Sequence, residues 1–269
     1  MKLVKTLRVT PGAKFRLADR PSAATPEMKN KKLAATGTES ARTRIEKLQY
    51  RLYAENRRAL LVVLQGIDAA GKDGTIRHVM TGLNPQGCDV HSFKVPSSEE
   101  LDHDFLWRIH RAIPEHGDIG IFNRSHYEDL IVPRVKQNAP KSAWKKRARQ
   151  INEFERTLTE NDVVLLKLFL HISKDEQKQR LQQRLDDPSR HWKVNPLDFT
   201  ERERWDAYQS AFEAMLADCS TPWAPWYVIP ADHKWYRNYA VSRLLLETLE
   251  TMNPRIPDPV VDVRKIKLR

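Results

Sequence analysis

The segment Gly66-Ile67-Asp68-Ala69-Ala70-Gly71-Lys72-Asp73-Gly74 constrains what this chain can fold into more than any other. It fits G-x-x-x-x-G-K, follows the apolar run at 60–65 and opens a helix predicted over 75–81. The pattern needs a strand before it and a helix after it, and both are present. Glycines let successive backbone N–H groups turn toward phosphate oxygens, the helix N-terminus adds partial positive charge, and Lys72 adds a full one. The phosphate-binding positions expected here are Gly66, Ala69, Ala70, Gly71, Lys72 and Gly74.

Two positions depart from the usual pattern. The residue after the lysine is ordinarily Ser or Thr, whose hydroxyl binds Mg²⁺; here it is Asp73. The strand predicted at 119–122 ends in Asn123, where an aspartate ordinarily serves the same metal. One site gains an anionic group and the other loses one, so the two changes compensate if they share a metal-binding region. Asp68 is a further carboxylate inside the loop. Carboxylates facing phosphate repel it unless Mg²⁺ lies between them or one acts as a base on the acceptor. A loop-capping side chain is the structural alternative for Asp68.

Apolar stretches at 59–64, 90–95, 119–122, 163–172 and 226–229 alternate with helical segments at 75–81, 99–112, 142–161, 174–185, 198–216 and 236–252. That alternation predicts an α/β fold with a five-stranded parallel sheet between helices. A further helix is expected from Ser40, with Ile45, Leu48, Leu52 and Tyr53 on one face. Residues 1–40, with Pro11, Pro21, Pro26 and basic residues at 29–32, are expected to be an extended arm, 41–255 the main domain, and 256–269 a tail with the basic end Arg264-Lys265-Ile266-Lys267.

The chain carries 46 Lys and Arg against 35 Asp and Glu, a formal net charge of +11, which favours a polyanionic partner: nucleic acid, an acidic membrane surface or a chain of phosphates. No apolar run reaches the roughly 20 residues a bilayer crossing needs, and the first ten residues lack a signal-peptide core. A cytoplasmic protein with no membrane partner is expected. Cys88 and Cys219 lie far apart with no metal-ligand pattern and are expected as free thiols. His78, His103, His110 and His116 show no ligand spacing.

Three segments together resemble the family-2 polyphosphate kinases: the loop 66–74, the stretch Phe122-Asn123-Arg124-Ser125-His126-Tyr127-Glu128-Asp129, and His171-Ile172-Ser173-Lys174-Asp175-Glu176-Gln177. The resemblance extends over about 48–252. It implies a thymidylate-kinase-like P-loop domain with a helical lid at about 174–200, and Mg²⁺-dependent transfer of phosphoryl groups between polyphosphate and nucleotides. It places Asp68, Lys72 and Asp73 in the phosphate loop, Asn123, Arg124 and Glu128 in the second motif, and Arg180 and Arg184 in the lid. Asp68, Asp73 and Glu128 are the implied metal ligands. Asn123 and His126, where other branches have aspartate and tryptophan, match the branch accepting nucleoside mono- and diphosphates. AMP and ADP are therefore the implied acceptors, with guanine nucleotides as the extension and a homo-oligomer as the expected assembly.

The residues support the carry-over. Arg180 and Arg184 are four apart on a predicted helix, so two guanidiniums on one face can clamp phosphate; the alternative is a solvated face paired with Glu176 and Asp187. The stretch 187–193, ending in Lys193, combines a proline with basic and aromatic residues and suits a lid that excludes water. Arg134 and Lys136 are expected to contact phosphate. The basic run 141–149 is either a donor channel or a solvated helix face. Trp223, Trp226, Trp235 and Tyr236 are expected in the core or at a subunit contact. Two rivals stand beside this reading: a kinase using ATP as donor, for which +11 is more charge than needed, and a nucleic-acid-binding P-loop protein, which leaves the lid arginines unexplained.

Overall fold

The computed structural model describes residues 2–266. Its centre is a five-stranded sheet in the order β2-β3-β1-β4-β5, made of β1 (Ala59–Gln65), β2 (Cys88–Ser92), β3 (Ile119–Asn123), β4 (Val163–His171) and β5 (Trp226–Pro230). Every strand pair is parallel. All seven residues of β1 are buried, as expected of a central strand covered on both faces. The chain leaves β1 for the edge strand β2 and later passes from β3 to β4, so the loops part at the carboxyl ends of β1 and β3. That crevice is where open α/β sheets bind ligands.

The helices are α1 (Lys2–Leu7), α2 (Lys31–Glu55), α3 (Lys72–Val79), α4 (Ser98–Leu101), α5 (Trp107–His110), α6 (Glu128–Val135), α7 (Lys141–Glu160), α8 (Lys174–Asp186), α9 (Pro196–Glu203), α10 (Trp205–Asp218) and α11 (Lys234–Met252). They pack in two groups, α11 with α2 and α3, and α6 with α7 and α10. The segment expected as a lid consists of α8, the 3-10 turn Pro188–Lys193 and α9.

Three expectations fail for identifiable reasons. The helix expected at 99–112 is two short ones. Ser97 and Glu100 form a capping box that starts α4, and Asp104 then accepts a hydrogen bond from the Leu106 N–H, turning the chain before α5. The helix expected at 198–216 breaks at Arg204: α9 has no buried residue, whereas α10 buries Trp205, Ala211, Phe212, Met215 and Leu216. One segment lies outside the core and the other belongs to it.

Residues 1–40 are also not a free arm. Leu3, Leu7, Val9 and Leu17 are buried in the core, the Val9 N–H donates to the Trp226 carbonyl at 2.8 Å, and Arg8 bridges Tyr227 antiparallel. α2 begins at Lys31, where Asn30 caps it by accepting from the Leu33 N–H at 3.0 Å. Met1 and Lys267, the last named residue of the basic end, lie outside the described residues. Cys88 and Cys219 are free thiols. No helix among the described residues is long and apolar enough to cross a membrane.

Candidate active site

The loop leaves β1 in a conformation that sequence chemistry explains. Gly71 adopts φ 103° at the N-cap of α3, and a side chain there would collide with the Arg237 guanidinium. Gly66 brings backbone so close to β4 that a Cβ would lie 2.7 Å from the Leu170 carbonyl oxygen. Lys72 is buried at the start of α3 and donates to the Gly66 carbonyl at 2.7 Å and the Ile67 carbonyl at 3.4 Å. Burial lowers its pKa, with Arg124 acting in the same direction, while Asp68, Glu128 and Asp73 oppose them.

The second motif closes against this loop from β3. Arg124, at φ 63°, forms an ion pair with Asp68 and reaches Glu128 at 3.8 Å. Burial raises the Glu128 pKa despite Arg124 and Lys72. The two departures from the usual metal pattern meet physically: the Asn123 amide donates to Asp73 Oδ1 at 2.9 Å, and Lys193 of the lid donates to Asp73 Oδ2 at 3.1 Å. Burial opposes ionisation of Asp73, but these two hydrogen bonds together with the charges of Lys193 and Lys72 outweigh it and hold its pKa below the usual value.

A cleft of about 1130 Å³ opens over the loop. Ten Lys and Arg side chains line it against two carboxylates, Asp68 and Asp73, an excess suited to a polyanion rather than to one phosphate group. Asp68 and Arg124 also border a small recess on their other side, lined by Glu128, Asp198, Glu201, Tyr208 and Phe212. The pair therefore stands between a cationic space and one that is acidic and aromatic.

Of the residues singled out in the sequence, Asp68, Ala69, Gly71, Lys72, Asp73, Gly74, Asn123, Arg124, Arg180, Arg184 and Lys193 line the cleft, and Gly66 and Glu128 the recess. Ala70 is fully buried and contributes a carbonyl to Arg180. Arg134 and Lys136 line neither space: they lie at the far end of α6, with Arg134 stacked over Trp144 at 5.2 Å. In the basic run on α7, Lys146 and Arg147 border a separate hollow instead of the cleft.

Arg180 and Arg184 share a helix face but not a condition. All five Arg180 N–H donors are engaged: Nε with Glu176, Nη1 with the Ala69 and Ala70 carbonyls, and Nη2 with those of Ala231 and Asp232. It braces the loop from beneath. Arg184 pairs with Asp198 at 2.9 Å across the lid.

Among the described residues no group of three or more His, Cys, Asp or Glu side chains stands ready to hold a metal, so Asp68, Asp73 and Glu128 do not form one ligand set. Mg²⁺ commonly takes only one or two carboxylates, filling its sphere with phosphate oxygens and water. Asp68 and Asp73, hard oxygen donors bordering the cleft, fit that requirement.

The cationic lining residues missed in the sequence are Arg77, Lys94, Lys234 and Arg237, whereas Arg190 belongs to the basic stretch 187–193 singled out there. Lys234 and Arg237 lie on α11, which carries no phosphate-binding pattern; their spacing of three on its first turn is the only local signal.

The family described as Polyphosphate kinase 2 (PPK2) has a model that matches residues 28–257. An AMP/ADP-polyphosphate phosphotransferase of Meiothermus ruber is 50% identical over 264 residues, covering 98% of this chain and 99% of that protein. An ADP-polyphosphate phosphotransferase of Rhodopseudomonas palustris is 42% identical over 273 residues, covering 97% and 94%. The crystal structure of polyphosphate kinase 2 from Arthrobacter aurescens TC1 superposes with a TM-score of 0.94 at 41% identity, covering 97% of this chain and 94% of that one.

Proposed function

Because this chain belongs to the polyphosphate kinase 2 family, we propose that it transfers phosphoryl groups between inorganic polyphosphate and nucleoside mono- and diphosphates, taking AMP to ADP and ADP to ATP reversibly with Mg²⁺. The observation that carries this is the charge of the cleft around Lys72, ten cationic side chains against two carboxylates. An ATP-using kinase needs far less, and a nucleic-acid binder has no use for a loop closed beneath a lid.

The reaction forms a bond between a nucleotide phosphate oxygen and the terminal phosphorus of the donor, and breaks the bond from that phosphorus to the rest of the chain. Negative charge passes to the departing chain. The loop N–H groups hold the transferring group, and Lys72 exchanges the Gly66 carbonyl for a phosphate oxygen as charge develops. Arg124, at the boundary between cleft and recess, orients donor and acceptor across Asp68. Mg²⁺, held by Asp68 and Asp73 with Asn123 orienting the latter, would neutralise the charge between adjacent phosphates. The lid, tied down by Lys193 to Asp73 and braced internally by Arg184 to Asp198, excludes water that would hydrolyse the donor. The acceptor nucleoside sits toward Tyr208 and Phe212 and the donor in the cationic cleft. A cytoplasmic homo-oligomer completes the reading.

The test is to incubate the pure protein with Mg²⁺, polyphosphate and AMP or ADP and separate the nucleotides. ADP followed by ATP is expected, and chelation should stop the reaction; product formed only with ATP as donor would assign an ordinary nucleotide kinase instead.

A further inference from the structure

β1 is apolar from Ala59 to Leu64 and ends in an amide, Gln65, that is completely buried. A further apolar residue would finish the strand without desolvating a polar group, so the amide is tolerated only because its surroundings bond it. Backbone pairing between β1 and β3 stops at Leu64 and Asn123, and the chain turns away at Arg124, which has φ 63°. Just past that point the Gln65 side chain takes over from the ladder. Its oxygen accepts from the Ser125 hydroxyl at 3.2 Å and from the Ser125 N–H at 3.3 Å, and its nitrogen donates to Glu128 Oε1 at 3.1 Å. Turned the other way, the amide would set its oxygen against the carboxylate and its nitrogen against the Ser125 N–H. The Tyr127 N–H already donates to the Ser125 hydroxyl at 3.3 Å, which leaves the hydrogen of that hydroxyl for Gln65.

Glu128 therefore has two differently held oxygens. Oε1 is fixed by Gln65, and Oε2 faces the Arg124 guanidinium at 3.8 Å. That distance is too long for a hydrogen bond, so the carboxylate steers Arg124 by its charge and by where it points. Arg124 in turn pairs with Asp68 at the boundary between cleft and recess. Gln65 itself borders neither space, so it touches no substrate and acts only through Glu128.

We propose that Gln65 is a positioning residue for phosphoryl transfer: by holding one oxygen of Glu128 it keeps the other turned to Arg124, and so fixes the guanidinium between donor and acceptor. This role rests on the polyphosphate reading given above and adds to it the residue that precedes the phosphate loop.

The experiment compares wild type with Gln65→Met, which keeps the length of the side chain and loses every hydrogen bond, and Gln65→Glu, which keeps an acceptor for Ser125 and loses the N–H given to Glu128. Each is also combined with Arg124→Lys. Turnover and KM for polyphosphate and for ADP are measured, with turnover expressed per folded molecule. A misplaced reacting group costs on the order of ten- to a hundredfold, so both single variants should lose about tenfold or more in turnover while both KM values stay within about twofold. In the Arg124→Lys background the same changes should cost less than about threefold, because the guanidinium they position is gone. Enzyme concentrations close to those of substrate keep a weak Arg124→Lys enzyme readable. Both Gln65 variants remove the same N–H, so either decides if the other does not fold. Wild-type turnover in a folded Gln65 variant overturns the role, as does a KM that rises with the loss of turnover. A loss that multiplies in full with that of Arg124→Lys also overturns it, marking Gln65 as a general support of the fold. A wild type that uses no polyphosphate overturns instead the reading on which the role rests.

Discussion

The stretch from Asn123 to Asp129 divides two clusters of charge that sequence alone would not separate. On one side His126, Tyr127, Glu155 and Lys167 are completely buried. Lys167 spends its three donors on Glu155 at 2.6 Å, the Cys219 carbonyl at 2.7 Å and the Tyr127 hydroxyl at 2.8 Å, while Tyr127 and His126 both reach Glu155 Oε1. Burial opposes ionisation of Glu155, but Lys167 and His126 prevail and its pKa is lowered. On the other side Glu128 sees Arg124 only at 3.8 Å, burial prevails and its pKa is raised. Two glutamates in one protein thus move in opposite directions. The closed cluster has internal partners for its charges and holds the motif in place; the open one has charge left over for a ligand.

Lys167→Met is the most damaging way to break this comparison. It leaves Glu155 buried without its lysine counter-ion, at a cost of about 3–5 kcal/mol, read as a fall in denaturant midpoint and melting temperature. Acid tests the same cluster. Glu155 has a folded pKa below the ordinary 4.5, so its stabilisation is present above that value and lost as pH falls through the lowered one. Stability that does not decline below pH 4.5 would show that Glu155 is not the group holding the cluster.

Lys72→Ala acts on the open side. Turnover should fall by at least about two orders of magnitude, while the denaturant midpoint stays near that of wild type because the lysine bonds only its own loop. Equal losses of stability and turnover would erase the distinction between the two clusters. The smallest effect is expected for Asp73→Ser, which removes the contacts to Asn123 and Lys193 and should lower activity about tenfold at limiting Mg²⁺. Adding Asn123→Asp should recover part of it, because the two side chains touch. No recovery at any Mg²⁺ concentration would mean that the contact carries no metal-binding compensation.

The open cluster was largely legible because its chemistry is local: a glycine-rich turn announces Lys72 and Asp73, and a contiguous motif announces Arg124 and Glu128. The contact between Asp73 and Asn123 was legible too, since both depart from one pattern. The closed cluster was not, because Glu155 and Lys167 are ordinary residues of a helix and a strand until folding buries them together. Arg134 and Lys136 illustrate the opposite error, in which nearness in sequence to Arg124 was taken for nearness in space, although a helix carries them away. Arg237 was invisible because its place in the cleft depends on the missing side chain at Gly71, a residue far away in the chain.

The packing of the N-terminal segment has a consequence for how the protein is made. Val9 accepts a hydrogen bond from Ser220 across 211 residues and pairs with Trp226 of β5, so this segment docks on one that is made much later. At roughly 5–20 residues per second the wait is roughly 10–40 s. Through that interval Leu3, Leu7 and Val9 remain apolar side chains without a surface to cover, and the nascent chain depends on chaperones or on its own early collapse to shield them.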